Sequence, residues 1–220
     1  VSDLTGATAL WGTAGQYGAE LAVKDINEAG GVLGGKMLER VPMDGKGEAA
    51  DSVSAFKKLV DEHHIVASIG TNFSSCNIPM ASFADEVKVP IIGTAASNEL
   101  VTVDENGNLH PYSFRMCFID SYLGTVIGNY AVDKLGVKNA ALFTIAGNTN
   151  SESVGSFIRD AINAKGANIV ADEQCQEGDV DFRAQLTNIK AKNPDIIFVV
   201  MNDYAKNATF AKQAREMGIE

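Results

Sequence analysis

Helical and strand-like hydrophobic patterns alternate along most of this chain. An amphipathic helix is predicted where apolar residues recur at i, i+3, i+4 and i+7, at Ala19, Ala22, Val23 and Ile26. The mostly apolar runs at residues 65–69 and 89–92 are typical of parallel strands that are covered on both faces. Because strands that alternate with helices form parallel sheets through right-handed crossovers, the pattern predicts an α/β fold.

The rest of the pattern adds elements of both kinds and one interruption. Strands are predicted at 38–43, 140–145, 167–171 and 196–201, and helices at 53–60, 123–135, 152–164, 182–191 and 205–217. Turn-forming residues interrupt the alternation, so we interpret 101–112 as an excursion or a small hairpin. We therefore predict two α/β lobes, residues 1–116 and 117–220, joined near 113–120. The alternative is one wider sheet.

Both ends of the chain depart from this alternation. Residues 1–6 are typical of the loop after a strand, yet no strand precedes them. Gly218 is typical of a C-terminal helix cap, and the two residues after it are too few for a closing strand. We therefore expect part of a longer protein. Its first lobe would lack most of its first strand, and its second lobe would lack its C-terminal part.

The charge balance argues against two classes of partner. The chain of 220 residues has 18 basic and 28 acidic residues, for a net charge of −10. Nucleic acids and anionic lipids both require a positive surface, so neither is expected to bind. No apolar run approaches the roughly 20 residues that span a bilayer. The three cysteines are too few and too scattered for a disulfide framework.

Two loops that are rich in small residues and hydroxyl groups carry the candidate chemistry. Residues 70–75 follow the predicted strand 65–69, and residues 93–98 follow the predicted strand 89–92. Because these loops have few side-chain atoms, their N–H groups can come close to a ligand. Open α/β sheets bind small molecules at the carboxyl ends of their strands. We therefore predict that the two loops form one polar pocket.

Catalysis is the rival interpretation of the first loop. To act as nucleophiles, Ser74, Ser75 or Cys76 would need a general base within hydrogen-bond reach, and nothing places His110 nearby. These residues can instead cap a helix that begins near Asn77, and the same helix end can hold a carboxylate. Ligand binding by Ser74 and Ser75 is therefore favoured, and no enzymatic activity is expected.

Two other motifs fail on their details. Residues 30–36 nearly match the phosphate-binding pattern G-x-x-x-x-G-K-[ST], but Met37 replaces the hydroxyl and a helix precedes the loop where a strand is needed. His63 and His64 are adjacent, so they cannot face one metal ion as histidines at i and i+4 can. We therefore predict no nucleotide hydrolysis, no metal site and no cofactor.

Three further residues have both a binding and a structural interpretation. Trp11 lies in a predicted loop, where it can form the wall of a pocket or pack at the surface. Asp203 follows the predicted strand 196–201, where it can contact a ligand or cap the next helix. Asp120 has the same two interpretations, and capping is favoured there.

Several segments, in order along the chain, are similar to one known family. Residues 4–6 and 18–32 match its opening segment. The later matches are Ile69-Gly70…Ser74-Ser75, Phe114-Arg115…Asp120-Ser121, Gly178-Asp179…Asp181-Phe182 and Gln213-Ala214-Arg215…Gly218. The series resembles the branched-chain amino-acid (leucine/isoleucine/valine) binding proteins of ABC transporters, over essentially the whole chain.

The resemblance implies a two-lobe type I periplasmic-binding-protein fold, in which hinge closure encloses a ligand between the lobes. It also implies that the first lobe holds the carboxylate and ammonium groups of an amino acid. The positions that match the family's contacts in that lobe are Trp11, Phe73, Ser74, Ala95, Ala96 and Ser97.

The second lobe departs from the family pattern. Tyrosines that are common in the family fall on Asn150 and at or beside Asp203, with Tyr204 next to it. Because a buried carboxylate without a partner is costly, Asp203 favours a ligand with an additional donor or a cation. Asp120, Asn150 and Asp203 are the predicted contacts in this lobe.

The resulting prediction is an extracytoplasmic solute-binding protein of an ABC importer that binds an amino acid or a related small polar solute. It would be a monomer in the periplasm or outside the cell, and its partner would be the membrane permease of the importer. One alternative is the ligand-sensing domain of a receptor or regulator with the same fold. Another is an α/β enzyme, which would need a converging base and nucleophile.

Overall fold

The computed structural model describes residues 1–6 and 8–219. The chain forms two compact units, Val1–Phe118 (unit 1) and Ile119–Glu220 (unit 2), so the predicted boundary after residue 116 differs by two residues. Each unit has its own three-stranded sheet, in contrast to the alternative of one wider sheet. In the part of the chain that is described, no helix is both long and apolar enough to cross a membrane.

Unit 1 is a parallel sheet with three long helices. Its elements are α1 (Ala9–Glu28), α2 (Ala49–His63), β1 (Ser68–Ile69), α3 (Ser74–Val87), β2 (Ile91–Gly93), a 3-10 turn (Glu99–Val101) and β3 (Ser113–Arg115). The strands lie in the order β1-β2-β3. The excursion predicted at 101–112 is a small hairpin, in which Val103 forms an antiparallel bridge with Leu109. The core of the unit includes Phe56, Leu59, Met80, Ala84 and Ile91.

The strand predicted at 38–43 is not formed. The side chain of Asn27 accepts a hydrogen bond from the Leu38 N–H (2.7 Å) and donates one to the Leu38 carbonyl (2.9 Å). These contacts take the N–H and the carbonyl of Leu38, the first residue of the segment, which a neighbouring strand would otherwise use. The segment reaches a strand-like partner at Asp44, which forms a parallel bridge with Ser2.

Unit 2 follows the predicted alternation closely. Its elements are α4 (Asp120–Asp133), β4 (Asn139–Ile145), α5 (Thr149–Ala164), β5 (Asn168–Cys175), α6 (Arg183–Ala191), β6 (Ile196–Val200) and α7 (Tyr204–Glu216). The parallel strands lie in the order β5-β4-β6, so β4 is central. Glycines let α4 lie close to α5, since a Cβ atom at Gly124 would be 2.5 Å from the Cβ of Phe157.

The central strand of unit 2 is buried on both faces, because helices pack against the sheet from either side. Phe143 and Ile145 belong to a cluster with α6 and α7, whereas Leu142 belongs to a cluster with α4 and α5. The first cluster contains a group of three rings, with the centroid of Phe143 at 4.6 Å from Phe210 and at 5.6 Å from Phe182. This core holds the ends of β4 and β6, which Asn150 and Asp203 follow in the chain.

Candidate functional site

The loops that follow β1 and β2 are hydrogen-bonded to each other. The Thr94 N–H donates to the Thr71 carbonyl at 3.3 Å, and the Thr94 hydroxyl donates to Oδ1 of Asn72 at 2.5 Å. Further along, the Asn98 N–H donates to the hydroxyl oxygen of Ser74 at 3.1 Å. The two loops therefore form one cluster at the carboxyl ends of two adjacent strands, which we call the loop cluster (residues 71–77 and 94–98).

The predicted residues of the loop cluster differ in exposure. Ser74 and Ser97 are both buried, with 5% and 7% of their surfaces exposed, and Ser97 is adjacent in sequence to the residue that bonds Ser74. Ala96 is also buried, whereas Phe73 is half-buried and Ser75 and Ala95 are exposed. The structure thus brings Ser74 and Ser97 into the same cluster and leaves the Ser75 and Ala95 positions open to solvent.

Helix α3 begins earlier than predicted, and its serines do not cap it. The helix starts at Ser74 rather than near Asn77, and Phe73 occupies the cap position without a side-chain cap bond. The Ser74 hydroxyl is instead engaged with the second loop. Because the first N–H groups of a helix have no partner within it, this helix end offers donors to an anion.

Two side chains that the sequence alone does not identify hold the loop cluster in shape. Asn77 is fully buried, and its Nδ2 donates to the carbonyl of Thr71 (2.9 Å), the hydroxyl of Thr71 (2.9 Å) and the carbonyl of Phe73 (3.0 Å). Arg115 on β3 donates to the carbonyl of Asn98 at 2.7 Å. Both act on backbone carbonyls, which a sequence motif does not reveal.

The sequence predicts a loop at Trp11, and that prediction is wrong. Trp11 lies in the first turn of α1, where it is half-buried. The next residue, Gly12, packs directly against the backbone of Asp3. Gly12 and Gly15 also line a cavity of about 20 Å³ beside the loop cluster, together with Thr71 and others. That volume is about enough for one water molecule, so an amino acid does not fit inside it.

A larger cavity in unit 1 is separate from the predicted site. It has a volume of about 310 Å³ and a mostly apolar lining that includes Val23, Leu38, Leu59 and Val66. None of the predicted site residues lines it. The loop cluster, rather than this cavity, is therefore the polar candidate site of unit 1.

In unit 2 the structure joins two of the predicted residues and gives the third a structural task. Nδ2 of Asn150 donates to Oδ1 of Asp120 at 2.9 Å. Asp120 is fully buried and is the first residue of α4, and Ile119 takes the cap position that the sequence predicts for the aspartate. Asp203 caps α7, since its Oδ1 accepts from the N–H groups of Ala205 (2.8 Å) and Lys206 (3.1 Å).

The titratable groups around the loop cluster do not favour a nucleophile. Burial raises the pKa of the Cys76 thiol, which disfavours the reactive thiolate. Burial also raises the pKa of Asp3, whose Oδ1 accepts from the Gly47 N–H at 3.1 Å. Within the ranges 1–6 and 8–219, no group of three histidine, cysteine or acidic side chains is arranged to hold a metal ion.

Comparisons with known proteins relate the chain to one family. The model of a family described as "Periplasmic binding protein" matches residues 1–220. An amino acid binding protein of Pseudomonas aeruginosa is 30% identical over 215 residues, which are 98% of this chain and 56% of that protein.

Two solved structures are similar over nearly the whole chain. The substrate binding protein LivJ of Streptococcus pneumoniae, solved in complex with isoleucine, is 34% identical with a TM-score of 0.88, covering 99% of this chain and 60% of that one. The leucine binding protein LivK of Thermotoga maritima is 27% identical with a TM-score of 0.84, covering 98% and 58%. The chain therefore spans little more than half the length of these relatives.

Proposed function

The chain belongs to the periplasmic binding protein family, and on this premise we propose that the protein binds an amino acid or a related small polar solute for an ABC importer. The observation that carries the proposal is the hydrogen bond from the Asn98 N–H to the Ser74 hydroxyl, which joins two loops of small and hydroxyl-bearing residues. The relatives include an amino acid binding protein and an isoleucine complex, which support the same class of solute.

In this proposal the loop cluster holds the charged groups of the amino acid. The N-terminus of α3, at Ser74 and Ser75, presents N–H donors and the positive end of the helix dipole to the carboxylate. Ser97 and the backbone of Ala95 and Ala96 contribute from the second loop. Phe73 and Trp11 supply apolar contact, and Asp120, Asn150 and Asp203 are the proposed contacts of unit 2.

The family supports a proposal for the site of action and the partner. Its members act outside the cytoplasm, and we propose the periplasm or the cell exterior as the location. The proposed partner is the membrane permease of the importer, reached by a monomer that binds no nucleic acid. The net charge of −10 supports the last point, because nucleic acid would be repelled. The proposed activity is binding without chemical turnover.

Removing the Ser74 hydroxyl is expected to weaken amino-acid binding. Ser74→Ala leaves the Asn98 N–H without its acceptor and removes a polar group from the proposed carboxylate site. We expect binding to become weaker by about 1–3 kcal/mol, and we expect Ser97→Ala to weaken it as well. Isothermal titration calorimetry with a panel of amino acids measures both effects.

A matched control for this experiment is Ser54→Ala. The Ser54 hydroxyl is exposed on α2 and bonds the Ala50 carbonyl within its own helix, so its removal should leave affinity unchanged. If the unmodified protein bound no member of the panel, the proposed solute class would be wrong. If it bound one and both serine variants kept full affinity, Ser74 and Ser97 would lie outside the site.

Two substitutions separate the structural task of Asp203 from its proposed contact with solute. Asp203→Ala removes the cap of α7 and should cost about 1 kcal/mol in the free energy of unfolding. Asp203→Ser keeps an acceptor for the same N–H groups and should restore that stability. If the carboxylate contacts the solute, the serine variant still loses affinity. Full affinity in that variant would leave Asp203 as a helix cap alone.

A further inference from the structure

Arg115 donates several hydrogen bonds to the second candidate loop and to the residues just after it. Its guanidinium donates to the carbonyl of Asn98 (2.7 Å), the carbonyl of Glu99 (3.0 Å) and the hydroxyl of Thr102 (2.6 Å), with a longer contact to the carbonyl of Ala96 (3.5 Å). Arg115 itself is held in β3, where it pairs with Gly93 at the end of β2. One side chain thus binds the backbone on both sides of Ser97.

These contacts decide which way the peptide groups of the loop face. In a trans peptide the C=O and the N–H point to opposite sides. The carbonyl of Ala96 shares its peptide group with the N–H of Ser97, and that carbonyl points towards Arg115. The Ser97 N–H therefore points away from the guanidinium, and the positive charge on the carbonyl side makes that N–H a stronger donor.

Asn98 connects Arg115 to the first loop. Asn98 gives its carbonyl to Arg115 and its N–H to the hydroxyl of Ser74. Hydrogen bonds therefore run from β3, through the second loop, to the first turn of α3. Displacement of the Asn98 backbone would alter the surroundings of Ser74 and Ser97 together.

From this geometry we infer that Arg115 is a positioning residue for solute binding: it holds the peptide groups at residues 96–99 in the orientation that presents Ser97 to the carboxylate of the solute. The inference rests on the proposed function. Lysine cannot replace arginine in this role, because one ammonium group does not offer the planar fork of donors that three carbonyls and a hydroxyl require.

The test combines amide exchange with affinity in Arg115→Ala and Arg115→Lys. In the solute-free protein, both variants should exchange the amide protons of residues 96–99 at least tenfold faster than the unmodified protein. The affinity for the best amino acid of the panel should fall at least tenfold in both. A role that depends on charge alone predicts instead that the lysine variant keeps full affinity, which would overturn the inference.

Two control variants separate positioning from general effects. Phe56→Leu destabilises the core of unit 1 without touching residues 96–99, so it should lower the unfolding temperature but keep affinity. Arg159→Ala removes one positive charge from unit 2, where Arg159 pairs with Asp172, and should also keep affinity. An affinity loss in Phe56→Leu as large as that in Arg115→Ala would overturn the inference, because stability alone would then explain it.

The exchange measurement keeps this inference distinct from the proposed function. If the unmodified protein bound no amino acid, the proposed function would fail, and exchange at residues 96–99 would still decide whether Arg115 orients the loop. Unchanged exchange in Arg115→Ala would overturn the positioning role whether or not a solute binds.

Discussion

Replacing Gly12 with alanine is expected to destabilise unit 1 more than the same replacement at Gly15 or Gly18, the other glycines of α1. A Cβ atom at this position would lie 2.0 Å from the carbonyl oxygen of Asp3 and 2.6 Å from its nitrogen. These are backbone atoms, so no side chain can rotate away to relieve the overlap. We expect a loss of about 3 kcal/mol in the free energy of unfolding, measured by denaturant titration.

The chain contains its own reporter and its own control for this experiment. Trp11, the single tryptophan, is adjacent to Gly12, so its fluorescence follows the unfolding of unit 1. Gly18 lies on the same helix, and among the described residues nothing outside its own stretch of helix comes within 4 Å of where an added methyl group would sit. Gly18→Ala should therefore raise stability by about 0.5–1 kcal/mol. Equal changes in the free energy of unfolding for the two substitutions would show that α1 does not lie in contact with the backbone of Asp3.

The glycines also explain why the start of α1 is hard to predict. The apolar period is clear from Ala19 onward, but Gly12, Gly15 and Gly18 all lower helix propensity before it. The structure continues the helix back to Ala9, and at Gly12 the missing side chain lets the helix lie against another segment. The packing of α1 thus outweighs the low helix propensity of the glycines, and the helix includes Trp11.

The loop cluster could be predicted because its signal is local and topological. Small residues after two successive buried strands, together with the rule that parallel strands end at one edge, predict that the loops approach each other. The hydrogen bond between Ser74 and Asn98 agrees with that prediction. Their role as solute contacts stays a proposal, because proximity of two loops does not identify what they bind.

The supports of the cluster could not be predicted in the same way. Arg115 acts on carbonyls that are 16 and 17 residues earlier in the chain, and carbonyls carry no residue identity. The failure at 38–43 has a similar cause. The pattern of a short strand was not enough there, because the side chain of Asn27 occupies the backbone groups of Leu38. In both cases a contact between a side chain and the backbone decides the outcome.

Replacing Phe143 with alanine is expected to be the most damaging core substitution in unit 2. Phe143 is fully buried on the central strand β4, and its ring contacts those of Phe182 and Phe210. Truncation removes the ring that the central strand contributes to the group and leaves a cavity. We expect a loss of about 3–5 kcal/mol in the free energy of unfolding, measured by denaturant titration with amide exchange along β4.

The consequence reaches Asn150, because β4 ends at Ile145, shortly before it. The N–H of Ile145 donates to the hydroxyl of Ser151 at 2.8 Å, and that hydroxyl donates to the carbonyl of Val200 at the end of β6. Loosening β4 should therefore increase exchange at Ile145 before the unit unfolds as a whole. Asn150 lies in the first turn of α5 and is hydrogen-bonded to Asp120.

Graded and exposed controls make the test of Phe143 decisive. Phe143→Leu fills part of the space and should cost less than half as much as the alanine variant, because the cavity is smaller. Tyr130→Ala removes a ring of similar size from α4, but 57% of that residue is exposed, so its cost should stay within about 1 kcal/mol. A loss in Tyr130→Ala equal to that in Phe143→Ala would show that burial in the three-ring group adds nothing to the stability of unit 2.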